Sequence, residues 1–505
     1  MKNLNRILAV TVLVCAQAGA KAPALHAQAP ALHAQAPALQ AQAPALQAPS
    51  QSDRTAVLAS IDAKAKTYGE VAMQIWSFAE VGYQETRSSA LLQQQLTNAG
   101  FEVKAGVAEI PTAFTATYGS GKPVIAIVGE FDALPGLSQA ALPERKALVE
   151  TGPGHGCGHH LFGTASTAAA IAVKEWLVAT KHAGTLRFYG TPAEEGGAGK
   201  VYMLRAGLFD DVDAVVTMHP GDHNATSAGS NLANITGKFR FHGKAAHAAA
   251  APERGRSALD GVEAMDAMVN MLREHVSSDA RIHYVITNGG QAPNVVPDFA
   301  EVYYYARHND MRVLDDIWER INNAARGAAL GTGTTTDLEI TGAVWNVLPN
   351  SYLVGVMQKN LQAVGGYEYT PVERQFAEAL RKSLDGNLPA IDSANSVMTP
   401  ETENGTASSD MGDVSWRVPT VQVVTATWVP GTPAHSWQAV AAGGMSIGVK
   451  GMIVAAKSMS LTAIDLFTEP SHIVKARAEF DQRRGPNFKY TTRLADRKPA
   501  LDYRK

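Results

Sequence analysis

Cysteine is almost missing from this chain: 505 residues contain only Cys15 and Cys157. A framework of intramolecular disulfides is therefore excluded. An excess of one charge is missing too. A formal net charge of -3 gives no reason to expect nucleic acid as a partner. The apolar run nearest the N-terminus, Ile7 to Val14, is far shorter than the ~20 residues a membrane span needs, so no span is read there. What remains is a chain with 46% hydrophobic residues, long enough for two or three domains.

Residues 1–20 read as a secretory signal. Lys2 and Arg6 form a basic start, Ile7–Val14 an apolar centre, and "AQAGA" offers cleavage after Ala18 or Ala20. The expectation is an exported protein, periplasmic or secreted. A lipid anchor at Cys15 is disfavoured by Val14, which stands where a small residue is wanted. Removal of the signal leaves Cys157 without a cysteine partner. Within the stretch 21–52, residues 22–49 repeat seven-residue units, "APALHAQ" twice, then "APALQAQ" and "APALQAP". A proline in each unit opposes a coiled coil and favours an extended tether.

From residue 53 the patterns become those of a folded domain. Apolar runs at 122–129, 184–190, 213–219 and 420–428 read as buried strands, with helical patterns separating the first three. An α/β fold follows: a mostly parallel sheet with helices on both faces, built from residues 53–232 and 344–470. Residues 233–343 differ. They run strand, helix, strand, strand, helix, strand, which predicts an inserted ferredoxin-like α+β domain. Residues 471–505 are polar and basic, read as a solvated tail or a packing arm.

Ligands bind beyond the carboxyl ends of strands in open α/β sheets. Those ends carry Glu130 and Asp132 in "GEFDALPG", Glu194 and Glu195 in "GTPAEEGG", His219 in "MHPGDH" and His435 in "GTPAHSWQ". The loop "GPGHGCGHHLFG" adds Cys157, His159 and His160 before a helix. Taken singly, each has a bland reading: a structural histidine, a solvated Glu–Glu turn, a buried cysteine. Together they are costly to bury unless paired or metal-bound. Thiolate, imidazole and carboxylate suit two divalent ions, zinc or manganese, bridged by one anionic ligand. The helix start also favours a thiolate at Cys157, which serves ligation and nucleophilic attack equally.

The segments "GEFDALPG", "GHGCGH", "TPAEEGGAGK", "MHP", "GKAAHAAAAPERGRSALDG", "PNVVP" and "GTPAHSWQ" resemble the M20 family of metallopeptidases, in its amidohydrolase branch. The resemblance spans roughly residues 55 to 465. It implies that Cys157 bridges two metals, that Glu195 and His435 complete one site, and that His159 and His219 complete the other. Glu194 would be the general base, and Asp132 would orient a ligand histidine. The inserted domain would act as lid and dimerisation module. Its His247 would stabilise the oxyanion, while Asn294 and Arg307 would hold substrate. Glu130 would be non-ligating, and His160 stands where relatives carry Asn or Asp.

The implied activity is hydrolysis of the amide bond in N-acyl or N-aroyl amino acids, such as aminobenzoyl-glutamate conjugates. The partners implied are this small substrate and a second copy of the chain, or else a different subunit. Two rival readings remain at this point. One is a hydrolase with Cys157 as nucleophile, and the other is a non-catalytic secreted protein that binds metal or solute.

Overall fold

The computed structural model describes residues 49–504; the predicted signal and nearly all of the predicted tether lie outside them. The first described helix starts slightly earlier than the sequence pattern suggests. Ser50 caps a helix over Gln51–Ala63: its side chain accepts from the Asp53 N–H, and Asp53 accepts from the Ser50 N–H in return. This reciprocal cap satisfies helix-end amides and draws residues 51 and 52 out of the tether. A second helix, Ala65–Phe78, follows a break at Lys64 and ends on Ala79 in the left-handed region (φ 46°).

Seven strands form the main sheet: β1 (Glu102–Ala105), β2 (Phe114–Ser120), β3 (Val124–Gly129), β4 (Gly184–Gly190), β5 (Ala214–Gly221), β6 (Ala225–Ser227) and, after the insertion, β11 (Thr420–Ala426). Their order is β1-β2-β4-β3-β5-β11-β6. The inner pairings β4–β3, β3–β5 and β5–β11 are parallel. The outer pairings β1–β2, β2–β4 and β11–β6 are antiparallel. The sheet is thus mixed, not mostly parallel. Exposed β1 and three-residue β6 carry too little apolar pattern to be read from sequence.

Every residue of β3 is buried, so its apolar run has no polar alternation. Ile125 and Ile127 face one core, with the helices His159–Thr180 and Ser446–Thr468. Val124, Ala126 and Val128 face the other. Helix Ser446–Thr468 is long and apolar enough to cross a membrane, but 83% of its apolar window is buried inside the molecule. It is a core helix.

The insertion contains β7 (Ala233–His242), β8 (Arg281–Asn288), β9 (Phe299–His308) and β10 (Thr335–Val344), with helices Ala258–Leu272 and Met311–Thr332 between them. These strands form an antiparallel sheet in the order β10-β7-β9-β8. Its core joins the second core of the main sheet without a gap.

Residues after 470 are not a solvated tail. Pro470–Arg484 is a helix that buries Ala476 and Phe480. Beyond it, an arm lies along the protein. Arg493 Nε donates to Asp315 Oδ1 (2.9 Å), Arg497 Nη1 to Glu339 Oε1 (2.8 Å), and Leu494 is buried. Arg483, Arg484, Arg493, Arg497 and Arg504 in this stretch are engaged in ion pairs or donate to backbone carbonyls.

Candidate active site

The strand ends set the site. β3 leads into Glu130 and Asp132, β4 into the turn carrying Glu194 and Glu195, and β11 into the loop with His435. His219 stands on β5 itself. The Cys157 loop enters helix His159–Thr180 through Gly158, whose φ of 76° suits glycine. A Cβ there would lie 2.7 Å from the Pro220 side chain. Close approach of this loop to β5 therefore requires glycine. His435 also adopts a left-handed φ, 57°, with its N–H donating to Gly156 O (2.8 Å). Such conformations persist where surrounding contacts enforce them, often at functional sites.

Asp132 is the organising carboxylate. Its Oδ1 accepts from His159 Nδ1 (2.8 Å), and its Oδ2 accepts from the Glu195 N–H (2.9 Å). Burial alone would raise its pKa, but His159 and the Glu195 amide together hold it below the usual carboxylate range. His219 Nδ1 donates to Pro220 O (2.8 Å), which leaves Nε2 free, 3.5 Å from Cys157 Sγ. His435 Nε2 lies 3.2 Å from Glu195 Oε1.

Three ligand sets result: Cys157, His159 and His219; Cys157, Glu195 and His435; and Glu130, His159 and Glu194. Donor atoms within each set lie within 4.8 Å of one another. Cys157 is common to the first two. Glu130 Oε2, His159 Nε2 and Glu195 Oε1 are buried without a well-formed hydrogen bond, although Glu130 Oε2 lies 3.1 Å from His159 Nε2 and Glu195 Oε1 lies 3.2 Å from His435 Nε2. Converging orphaned lone pairs are costly unless a cation receives them, so the residues present fit a divalent metal site.

Glu130 has a companion that sequence reading did not single out. Lys200 Nζ lies 2.7 Å from Glu130 Oε1 and 2.6 Å from Asp410 Oδ1, all fully buried. Although "TPAEEGGAGK" includes Lys200, no local signal in the chain joins it to Asp410, 210 positions away. Burial would lower the lysine pKa, but Asp410 and Glu130 raise it, so the ammonium stays charged. Glu194 is held well above the carboxylate range, first by burial and then by Glu130, Glu195 and Asp410.

Expectations for Cys157 and His160 need revision. Burial pushes the Cys157 thiol far up, outweighing the pull of His159, and Glu195 adds to the rise. In the metal-free chain burial outweighs the helix start at Cys157, so the geometry adds no support for a cysteine nucleophile. His160 is structural: Nε2 donates to Gly443 O (3.0 Å), its ring packs on His155, and it joins none of the ligand sets.

A cavity of about 400 Å³ opens on the site, lined by Glu194, Glu195, Asn234, Arg307, Asp410 and His435 among others. Arg307 is thus brought to the site. His247 and Asn294 are not. Both are exposed, and their loops bond to each other through the Ala248 N–H and Asn294 O (3.0 Å).

Carboxylates, imidazoles and one cysteine sulfur converging at the strand ends suit a metal-dependent hydrolase. The chain belongs to Peptidase family M20/M25/M40, whose sequence profile matches residues 126–439. It is 42% identical over 451 residues to the p-aminobenzoyl-glutamate hydrolase of Escherichia coli (strain K12), in one of its subunits, covering 84% of this chain and 94% of that one. It is also 29% identical over 440 residues to the Xaa-Arg dipeptidase of Mus musculus, covering 83% and 90%. Its fold matches a dinuclear metal-binding M20 peptidase from Bacillus subtilis (TM-score 0.57, 18% identity, covering 80% of this chain and 99% of that one). An aminobenzoyl-glutamate utilization protein from Klebsiella pneumoniae matches with TM-score 0.57 at 18% identity, covering 80% and 96%. The protein is a hydrolase of the peptidase and amidohydrolase class.

Proposed function

We propose that the protein hydrolyses the amide bond of N-acyl or N-aroyl amino acids, with acidic conjugates such as aminobenzoyl-glutamate as the favoured class. The carrying observation is the convergence of orphaned Glu130, His159 and Glu195 atoms beside Glu194, on a cavity that also holds Arg307. In this reading Cys157, Glu195 and His435 would hold one divalent ion, zinc or manganese, and His159 and His219 would hold a second with Cys157 shared between them. Such ions acidify water and polarise a carbonyl.

Glu194 takes the proton released by the attacking water and returns it to the leaving amine nitrogen. The asymmetry between the two glutamates supports this: Glu195 is fixed by Asp132 and faces His435, while Glu194 is a high-pKa carboxylate open to the cavity. Asp132 holds the His159 ring so that Nε2 points at the ligand cluster. Arg307 grips the substrate carboxylate. Arg281 stands directly across the β8–β9 ladder from it, and like charges so placed repel unless an anion lies between them. This favours an acidic amino acid.

The inserted ferredoxin-like domain serves as lid. His247 and Asn294 reach a site through a homodimer or a second kind of subunit, with His247 stabilising the oxyanion. Residues 1–20 direct export to the periplasm or beyond. The test is metal analysis with a panel of benzoyl-, aminobenzoyl-, indoleacetyl- and acetyl-amino acids, on wild type and Glu194→Gln. Metal retained and hydrolysis lost in Glu194→Gln is expected. Metal-loaded wild type that cleaves no panel member, or hydrolysis that survives chelation, would overturn the proposal.

A further inference from the structure

The arm beyond residue 485 ends its described course on the turn that carries Glu194 and Glu195. Arg504 Nη2 donates to Glu195 O (2.7 Å), and Tyr503 Oη donates to the same oxygen (3.2 Å). The Glu195 N–H is already bound to Asp132 Oδ2 (2.9 Å). Both backbone polar groups of Glu195 are therefore held from outside the turn. A strained backbone makes such support consequential: Ala193 has φ 56°, and Gly196 has φ 99°.

Neighbouring residues are shaped to receive the arm. A Cβ on Gly82 would lie 2.2 Å from Tyr503 Oη, so the phenol fits only against glycine. Tyr83 meets the Tyr503 ring edge-on (5.6 Å) and donates its own hydroxyl to Gly197 O (2.7 Å). Gln84 Nε2 donates to Leu501 O (2.8 Å). Segment 82–84 thus anchors both the arm and the far side of the turn. Anchors upstream are separate: Arg497 binds Glu339 and Ile340 O, and Arg493 binds Asp315.

We propose that Arg504 and Tyr503 are positioning residues for Glu195, fixing its carbonyl so that its carboxylate is aimed at the ligand cluster. This rests on the reading of Glu195 as a metal ligand. With its N–H and C=O both held, the residue keeps only side-chain torsions to adjust. Removing partners that orient a ligand typically weakens metal binding or activity by about 10- to 100-fold. Two donors share one oxygen here, so each single removal is expected near the lower end.

Zinc affinity is measured on the full chain by competition with a chromophoric chelator, for wild type, Arg504→Ala, Tyr503→Phe, Arg504→Lys and Arg497→Ala. Arg504→Ala and Tyr503→Phe are expected to weaken zinc binding roughly tenfold with unfolding temperature little changed. Arg504→Lys, which keeps a cationic donor, recovers part of the loss. Arg497→Ala loosens the arm elsewhere and keeps wild-type affinity. Affinity unchanged in the Arg504→Ala/Tyr503→Phe double variant overturns the proposal, as does an equal loss in Arg497→Ala. A second readout needs no metal: amide exchange at residues 194–198 of the metal-free chain accelerates in Arg504→Ala, and unchanged exchange counts against it. Wild type that binds no zinc or manganese would instead overturn the metal-site reading itself.

Discussion

Asp132→Asn tests the organisation of the site most directly. Asp132 is 1% exposed and gives one oxygen to His159 Nδ1 and the other to the Glu195 N–H. Asparagine has the same shape but offers one acceptor and one donor. If its amide nitrogen faces His159, the ring must present an acceptor at Nδ1 and carry its proton on Nε2, the atom aimed at the ligand cluster. If the nitrogen faces Glu195, it meets an N–H and a charge-assisted hydrogen bond worth about 1.5–3 kcal/mol is lost. Either arrangement weakens one of the two ligand sets sharing Cys157. Loss of such an orienting partner typically weakens metal binding about 10- to 100-fold, or about 1.4–2.8 kcal/mol, in agreement with the bond estimate. Chelator competition on folded protein, with kcat at saturating metal, measures it. Zinc affinity within about twofold of wild type would refute the role given to Asp132.

Other consequences can be measured independently. Lys200→Met leaves Glu130 and Asp410 as buried, uncompensated carboxylates and is expected to destabilise by about 3–5 kcal/mol in denaturant unfolding. Adding Asp410→Asn recovers part of that, whereas strictly additive losses would contradict the coupling. Glu194→Gln is expected to lower kcat by about 10²–10⁴-fold with metal content unchanged; a KM effect alone would contradict its role as base. Burial raises Asp413 to about 7, against hydrogen bonds from Tyr490 and the Trp345 N–H. The folded chain then retains a proton that the unfolded chain releases near pH 4, so this contribution to stability fades as pH rises from about 4 through 7. Asp413→Asn should therefore gain relative to wild type between about pH 5 and pH 8 by calorimetry; a constant difference in unfolding temperature across that range would be the contrary result.

Continuous apolar runs made the buried strands legible: 184–190 is β4 to the residue, and 122–129 overshoots β3 by only two residues. β9 was readable for the opposite reason, since "FAEVYYYARH" alternates buried and less buried positions. Edge strands β1, largely exposed, and β6, three residues long, carry no readable apolar pattern, and their antiparallel pairing changed the character of the sheet. Within the site, residues of the strand-end motifs were legible because the topology forces those ends together. Lys200 and Asp410 were not, because their pairing depends on packing between segments far apart in the chain. The closing stretch stayed open between a solvated tail and a packing arm for a related reason. A run of Lys and Arg reads as solvated until the carboxylates and carbonyls it meets are known, and those lie on other elements.

The order of strands across the main sheet also bears on how the protein is made. Cys157, His159 and His219 have all been synthesised by the time β5 is complete, while β11, which must pair with β5, begins some two hundred residues later at Thr420. His435 follows, and Arg504 comes last of the described contacts to the turn. During synthesis from the N-terminus, the nascent chain therefore presents every proposed ligand except His435 while the β5 edge is still open. An ion captured at that stage would be held by three ligands and by no finished sheet. On the proposed ligand assignment, the second set is completed only when β11 closes the edge and brings His435 to the turn.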